Sequence, residues 1–201
     1  MKNASINFYI EKFSSLDLER VDLSDVPMLV RRKLSALDKV VYSAVKNVMK
    51  EGIEELVFSS RYGELDRLKS IIESYLEYNE ASPAKFSASV HNYFAGLFCQ
   101  MNRLTISYTS LSAHENTLSM GLIKSIVSDK SKVLFCYGDS EKEPQSVACL
   151  ISKLECENAI KCTFTKSEVT LESDEYTSFC KFLNGEIATF KTPCGIIERI
   201  G

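Results

Sequence analysis

Apolar and polar residues follow two periods along the chain, one typical of strands and the other of helices. Strands are predicted where apolar, β-branched or aromatic residues cluster over a few positions, and helices where apolar residues recur every three to four positions. The predicted strands cover 6–10, 54–60, 104–111 and 132–139, and the predicted helices cover 31–49, 64–78, 84–102 and 115–127. Helices therefore alternate with strands through the first two thirds of the chain.

The last third has a different pattern. Two strands, 145–155 and 159–171, are predicted in a hairpin-like relation, followed by a short helix at 174–185 and edge strands at 186–192 and 196–200. Strands that alternate with helices are typical of an α/β fold with a parallel sheet. We therefore expect one domain over 1–201, an α/β fold with a central mixed, mainly parallel sheet, helices on its faces and antiparallel strands at the end.

Composition is that of an ordinary globular domain. The chain has 201 residues, of which 45% are hydrophobic and 25% charged, with a formal net charge of -3. The mild acidity and the lack of a basic cluster argue against nucleic-acid binding. Charges interrupt the first twenty residues, which argues against a signal peptide, and no apolar run reaches the length of a membrane span. Cytoplasmic residence is the resulting expectation.

The seven cysteines suggest neither disulfides nor a metal site. Their number is odd, no two are spaced as CxxC, and the two histidines lie far from any cysteine pair. Structural zinc sites and disulfide frameworks need tighter clusters. We expect reduced thiols that behave as small hydrophobic side chains, with no metal and no cofactor.

The turn between the predicted strand 104–111 and the helix after it carries the most suggestive polar residues. Ser110, Ser112, His114 and Glu115 lie within six positions of one another. A serine hydrolase needs its nucleophile, base and acid to converge from different elements, which neighbouring residues of one turn do not do. Capping of the helix by Ser112 or His114 is the simpler interpretation. The chain also lacks GxGxxG, GxxxxGK[ST], GxSxG and HExxH.

Four segments, in this order, carry a resemblance to a known family. They are "VRRKLSALDKVVYSAV" at 30–45, "VFSSRYGELDRL" at 57–68, "SPAKFSASVHNYFAG" at 82–96 and "SLSAHENTLSMGLIKS" at 110–125. Together they resemble the short β-ketoacyl-synthase-like proteins of aryl polyene and dialkylresorcinol biosynthesis clusters. The resemblance implies a thiolase-like fold, present as a single half that corresponds to the N-terminal half of a ketosynthase.

The resemblance also implies that the chain is not a condensing enzyme. Anchoring on Gly121 places Ala113 where these enzymes have their catalytic cysteine, and no cysteine lies between Cys99 and Cys136. Decarboxylative condensation needs a thiolate that carries the acyl chain. The family also takes two catalytic histidines from a C-terminal half that this sequence does not include. We therefore expect the chain to have no catalytic residues.

A partner role follows from the same resemblance. Chain-length factors are inactive ketosynthase relatives that form heterodimers with an active β-ketoacyl-ACP synthase, and they pair through the strand equivalent to 104–111. The resemblance implies that Phe86, Ser89 and Val90 shape the partner's acyl tunnel, although a place in the hydrophobic core is an equally good interpretation of Phe86. The expected tunnel and interface residues also include His91, Asn92, Ile106, Tyr108, Ser110 and Leu111.

Arg31 and Arg32 suggest a second partner. They are predicted to open a helix, where cations oppose the macrodipole. Such a placement suggests an acidic partner, for which an acyl carrier protein is the candidate. A plain surface salt bridge is the simpler interpretation of these arginines.

Two other functions remain open from the sequence. The first is an autonomous acyl hydrolase or acyltransferase that uses the turn from Ser110 to Glu115. The second is a homodimer that binds an acyl chain without a specific partner.

Overall fold

The computed structural model describes residues 5–140, 143–169 and 174–200, and within them the chain forms one mixed sheet with helices on both faces. The strands are β1 Ser5–Asp17, β2 Glu55–Ser59, β3 Ser107–Leu111, β4 Lys132–Asp139, β5 Gln145–Ser152, β6 Ile160–Lys166, β7 Thr189–Thr192 and β8 Gly195–Arg199. The helices are α1 Met28–Arg31, α2 Ala36–Val48, α3 Leu65–Tyr78, α4 Pro83–Ser87, α5 Tyr93–Met101, α6 Thr117–Val127 and α7 Glu175–Asn184.

The strand order is β3-β2-β4-β5-β1-β6-β8-β7. Among the described strands, only the pairings of β2 with β3 and β4 are parallel, and the other pairings are antiparallel. The α/β class and the mixed sheet are confirmed, but the prediction of a mainly parallel sheet is wrong. Parallel neighbours need a long crossover, and in the second half the connection from β4 to β5 is too short for one.

The first strand is longer than its predicted range of 6–10, and it separates two strands that were predicted to pair. It lies between β5 and β6, where Tyr9 is in register with Ser152 on one side and with Lys161 on the other. The hairpin-like pairing of 145–155 with 159–171 is therefore wrong, and residues 170–171 of that prediction lie outside the described residues. Charged residues such as Glu11 interrupt the apolar pattern, so the sequence predicts a shorter strand than the structure has. In the structure the Glu11 carboxylate forms ion pairs with Lys50 and Lys132.

Each face of the sheet carries its own apolar core. Helices α2 and α5 cover one face, where Phe58 contacts Phe94. Helices α6 and α7 cover the other, where the ring of Phe135 lies edge-on to Phe179. Cys136 lies in the first core and Cys149 in the second, and burial raises the pKa of both thiols above the ordinary value. The helices on both faces confirm the layered arrangement predicted from the sequence.

Two predicted helices are each divided. The prediction at 31–49 becomes α1 and α2, because Ser35 caps α2 by accepting a hydrogen bond from the Asp38 amide while Asp38 accepts one from the Ser35 amide. This reciprocal arrangement is a capping box, which fixes the start of a helix. The prediction at 84–102 becomes α4 and α5, which are separated by residues 88–92. Within the described residues, none of the helices is long and apolar enough to cross a membrane.

Candidate functional site: the free edge at strand β3

Strand β3 forms one end of the sheet, with β2 on one side and no strand of the described residues on the other. The Ser60 amide donates to the Leu111 carbonyl at 3.2 Å, which shows that the polar backbone groups of Leu111 face β2. Because these groups alternate between the two sides of a strand, those of Tyr108 and Ser110 face the open edge. The strand predicted at 104–111 is confirmed for 107–111, and it leaves outward amides available to another chain.

The side chains of β3 alternate between the two faces of the sheet. Tyr108 is 42% exposed. Its hydroxyl lies over Gly96 of α5, 3.4 Å from where a Cβ would stand. The Ser110 hydroxyl oxygen is buried and has no hydrogen-bond partner among the described residues. Ile106, just before the strand, packs against the core under α5, and Leu111 packs against the opposite core.

The turn after β3 is organised by Thr117, which the sequence did not single out. The Thr117 hydroxyl donates to the His114 carbonyl at 2.6 Å and accepts from the Ala113 amide at 2.9 Å. Ser112 instead donates to the Arg61 carbonyl at 3.1 Å. Neither Ser112 nor His114 caps the helix, so the capping prediction is wrong. Threonine next to a helix start competes for such local bonds, which is the signal that could have identified it.

His114 has a left-handed backbone, with φ at 55°. This conformation is unusual for a residue with a side chain and costs free energy. The His114 side chain is 77% exposed, and its Nδ1 lies 3.9 Å from a Glu115 carboxylate oxygen. Neither Ser110 nor Ser112 has a hydrogen bond to a histidine within the described residues. The turn therefore does not bring together the groups that an autonomous serine hydrolase would need.

The loop between α4 and α5 carries the residues predicted to shape an acyl tunnel. Phe86 is 61% exposed and Val90 is 41% exposed, so neither belongs to the core. The Ser89 hydroxyl donates to the Phe86 carbonyl at 2.9 Å and fixes the loop locally. Asn92 occupies the position before α5 without capping it through its side chain.

His91 makes a structural contact with the end of β2. Its Nε2 lies 2.8 Å from the Ser60 carbonyl oxygen, so this nitrogen carries the hydrogen. The ring also lies 5.8 Å from the ring of Phe58. His91 therefore connects the loop before α5 to the end of β2, the strand that pairs with β3.

An apolar surface continues from this loop onto α3, and the sequence interpretation missed it. The prediction of an amphipathic helix at 64–78 is confirmed, but Ile71 is the one residue of α3 that is buried. Several apolar side chains at helical spacing are exposed instead: Leu65, Leu68, Ile72 and Leu76. Leu65 and Leu68 line a small cavity together with Ser89 and His91. We use the name "docking surface" for the open edge of β3 together with Leu65, Leu68, Phe86 and Val90.

Arg31 and Arg32 do not open a helix, so that prediction is wrong. Arg31 is the last residue of α1, and Arg32 follows it. Cations are favourable at a helix end, because they complement the macrodipole there. Arg31 donates to the Val26 carbonyl at 2.5 Å, whereas Arg32 is exposed and has no side-chain partner among the described residues.

A buried carboxyl pair joins α2 to α3. Arg67 donates to Asp38 and to Glu64, both at 2.6 Å, and Glu64 accepts from the Ser35 hydroxyl at 2.8 Å. Burial, reinforced by the charge of Asp38, raises the pKa of Glu64 to about 7, and burial also raises the pKa of Asp38. One guanidinium thus faces two carboxyl groups, and this pair retains a proton near neutral pH.

Because of this carboxyl pair, we expect the free energy of unfolding to depend on pH. The pKa of Glu64 is about 7 in the folded chain against an ordinary 4.5, so its contribution is complete below pH 4.5 and is lost as the pH rises to about 7. We expect the free energy of unfolding to fall by about 2 kcal/mol over this range through Glu64 alone. Glu64→Gln, which resembles the protonated form, should remove this part of the slope.

The measurement is urea denaturation at pH 5, 6, 7 and 8 for the wild type and two variants. Glu73→Gln, at an exposed position on α3, is the matched control and should keep the wild-type slope. An unchanged slope in Glu64→Gln would show that Glu64 does not hold the proton.

The comparisons with known proteins agree with this architecture. Among solved structures, the chain is similar to one in the complex of the ketosynthase ApeO with its chain length factor ApeC from Xenorhabdus doucetiae. The TM-score is 0.78 at 19% identity, over 96% of this chain and 100% of that one. This likeness shows the thiolase-like ketosynthase fold.

Other solved structures are more distant. OleA from Xanthomonas campestris matches with a TM-score of 0.41 at 10% identity, over 96% of this chain and 66% of that one. A 3-oxoacyl-(acyl-carrier protein) synthase from Burkholderia xenovorans matches with a TM-score of 0.35 at 9% identity, over 96% and 64% of the two chains. No curated protein matches the sequence.

A family model matches most of the chain. It describes the N-terminal domain of β-ketoacyl synthases and covers residues 10–184. That range begins within β1, ends with α7 and contains the docking surface together with the turn at Ala113. The resemblance identified from the four sequence segments is confirmed. The chain belongs to the β-ketoacyl synthase family and corresponds to its N-terminal domain.

Proposed function

We propose that the chain is a non-catalytic chain-length factor that forms a heterodimer with an active β-ketoacyl-ACP synthase. The observation that carries this proposal is the free edge of β3, which ends the sheet and is accompanied by exposed apolar side chains. An open edge with apolar neighbours is a template for pairing with another strand. The solved complex of ApeO with ApeC, in which a ketosynthase binds its chain length factor, supports the same assignment.

The non-catalytic part of the proposal is supported by the turn after β3. The predicted nucleophile position holds Ala113, and the nearest cysteines along the chain, Cys99 and Cys136, are both buried in the core. A buried thiol in apolar surroundings is a poor nucleophile, because the thiolate is disfavoured there. The partner would therefore supply the thiolate and the histidines for condensation.

In this role the chain would shape the partner's acyl tunnel. Phe86 and Val90 lie on the docking surface, where both are exposed and able to reach another chain, and Ser89 lies between them in the same loop. The product class suggested by the resemblance is the polyunsaturated acyl chain of an aryl polyene pigment, built on an acyl carrier protein. Arg32, exposed and unpaired among the described residues, is a better carrier contact than Arg31. The proposed role places the chain in the cytoplasm.

Co-expression with the active ketosynthase of the same organism tests the heterodimer. We expect the two chains to co-purify and to elute as a one-to-one complex or a multiple of it, with the mass measured by light scattering. Elution of this chain as a homodimer beside the separate ketosynthase would instead support the homodimeric acyl-binding alternative. A monomer that does not bind the ketosynthase would contradict both the heterodimer and the homodimer.

Substitution of Phe86 is expected to change the length of the acyl product. Phe86→Ala removes an exposed ring from the proposed tunnel wall, so we expect the complex to make products longer by one or more two-carbon units. Mass spectrometry of the released acyl chains measures this shift. Leu76→Ala, which removes an exposed apolar side chain from α3 outside the named docking surface, should leave the product distribution unchanged. Equal distributions for Phe86→Ala and Leu76→Ala would exclude Phe86 from the tunnel.

A further inference from the structure

A separate cleft opens between α3, α4 and the start of α5. Its volume is about 590 Å³, within the range of about 300–1,000 Å³ that is typical of small-molecule sites. Most of its lining is apolar. The lining residues are Lys33, Asp66, Arg67, Ser70, Ala84, Lys85, Ala88 and Tyr93.

Arg67 is held rigidly in the wall of this cleft. Its Nε donates to Glu64, and one of its terminal nitrogens donates to Asp38 and to the Lys33 carbonyl, at 2.8 Å for the last. Its guanidinium also lies over the Tyr93 ring, 4.9 Å from the ring centre. The other terminal nitrogen has no hydrogen bond to any described residue. A guanidinium fixed in this way presents its remaining donors to an oxyanion at little entropic cost.

Two lysines add positive charge that the surrounding chain does not neutralise. Neither Lys33 nor Lys85 forms an ion pair with a described residue, and the closest polar contact of Lys85 is the Ser70 hydroxyl at 3.4 Å. The one acidic residue in the lining, Asp66, is 84% exposed at its side chain and faces Lys69 at 3.6 Å. The cleft therefore combines an excess of cations with an apolar floor.

We infer that this cleft binds a small amphipathic organic anion. Its carboxylate or phosphate would lie between Lys33, Lys85 and the free nitrogen of Arg67, and its apolar part would lie along Ala84, Ala88 and the ring of Tyr93. Charged hydrogen bonds from fixed donors are the stronger class, and an apolar floor excludes fully hydrated ions. This inference does not depend on the proposed partner role, because each residue that carries it belongs to this chain.

Isothermal titration calorimetry of the isolated chain tests the inference with three probes: octanoate, octyl phosphate and inorganic phosphate. We expect at least one of the two octyl compounds to bind at least about tenfold more tightly than inorganic phosphate. The preference between octanoate and octyl phosphate identifies the head group. Absence of binding by both octyl compounds, or equal binding of inorganic phosphate, would overturn the inference.

Variants separate the cleft from nonspecific attraction. Lys33→Glu and Lys85→Glu each reverse an exposed charge in the lining, so each should weaken binding by at least about tenfold. Ala84→Trp fills the cleft from an exposed position on α4 and should abolish binding without changing the charge. Lys181→Glu, an exposed lysine on α7, is the matched control. Binding that survives Ala84→Trp, or that falls equally in Lys181→Glu, would contradict a site in the cleft; circular dichroism verifies the fold of each variant.

Discussion

Ser110→Pro is expected to weaken association with the active ketosynthase by at least about a hundredfold, which is close to 3 kcal/mol. The Leu111 carbonyl accepts from the Ser60 amide and so faces β2. The backbone groups of the preceding residue, Ser110, therefore face the open edge of β3. Proline removes the amide that would donate across the interface, and it does so without breaking the ladder between β2 and β3. The isolated variant should therefore remain folded while the complex is lost.

The opposite edge of the sheet provides the control. Directly before β7, the Ala188 carbonyl accepts from the Arg199 amide, so the backbone groups of the next residue, Thr189, face away from β8. Thr189→Pro is thus an equivalent change at an equivalent edge, and it should leave the affinity within about twofold of the wild type. Surface plasmon resonance with immobilised ketosynthase gives both dissociation constants. Equal effects of the two prolines would mean that β3 is not the pairing strand.

Gly121→Ala is expected to lower the free energy of unfolding by about 3 kcal/mol, the largest stability effect predicted for this chain. Helix α6 crosses the sheet so closely that a Cβ at Gly121 would lie 2.5 Å from the Ser59 hydroxyl oxygen and 2.8 Å from the Phe135 ring. Both neighbours are buried, so neither can move without disturbing the core. The helix must therefore lift from the sheet or the ring must leave its position.

Gly96→Ala is the matched change in another helix. A Cβ there would be 3.4 Å from the Tyr108 hydroxyl, and alanine favours helix over glycine by up to about 1 kcal/mol. We expect Gly96→Ala to be neutral or slightly stabilising in the same urea titration. A Gly121→Ala variant as stable as Gly96→Ala would show that α6 does not approach the sheet as described.

The local elements could be predicted because their signals are local. The strand at 132–139 coincides with β4 Lys132–Asp139, and the helix at 174–185 coincides with α7 up to its end at Gly185. Gly185 has φ at 80°, the left-handed backbone that ends helices. A short apolar run and a glycine stop are both visible within a dozen residues of sequence.

Long-range pairing could not be predicted in the same way. The position of β1 between β5 and β6 depends on contacts across more than a hundred residues, and no periodicity records them. The length of β1 depends on Lys50 and Lys132, which neutralise Glu11 from other elements. The parallel character of the sheet was overestimated for the same reason, since the pattern shows strands but not their neighbours.

The docking surface was predicted in part. The strand at 104–111 is predicted from its residue pattern, whereas its pairing role and the loop residues Phe86 and Val90 come from the family resemblance. The structure adds that both side chains are exposed. The stripe on α3 was visible as helical periodicity, but periodicity does not distinguish a face that packs on the core from one that awaits a partner. The structure makes that distinction, because Ile71 is the one residue of α3 that is buried.

The partner role is tested most directly by reconstituted elongation with purified active ketosynthase, acyl carrier protein and malonyl donor, in the presence and absence of this chain. The acyl products are read by mass spectrometry. We predict full-length products only when the wild-type chain is added, and short or no products with the ketosynthase alone or with Ser110→Pro. Full-length products from the ketosynthase alone, unchanged by this chain, would contradict a chain-length factor.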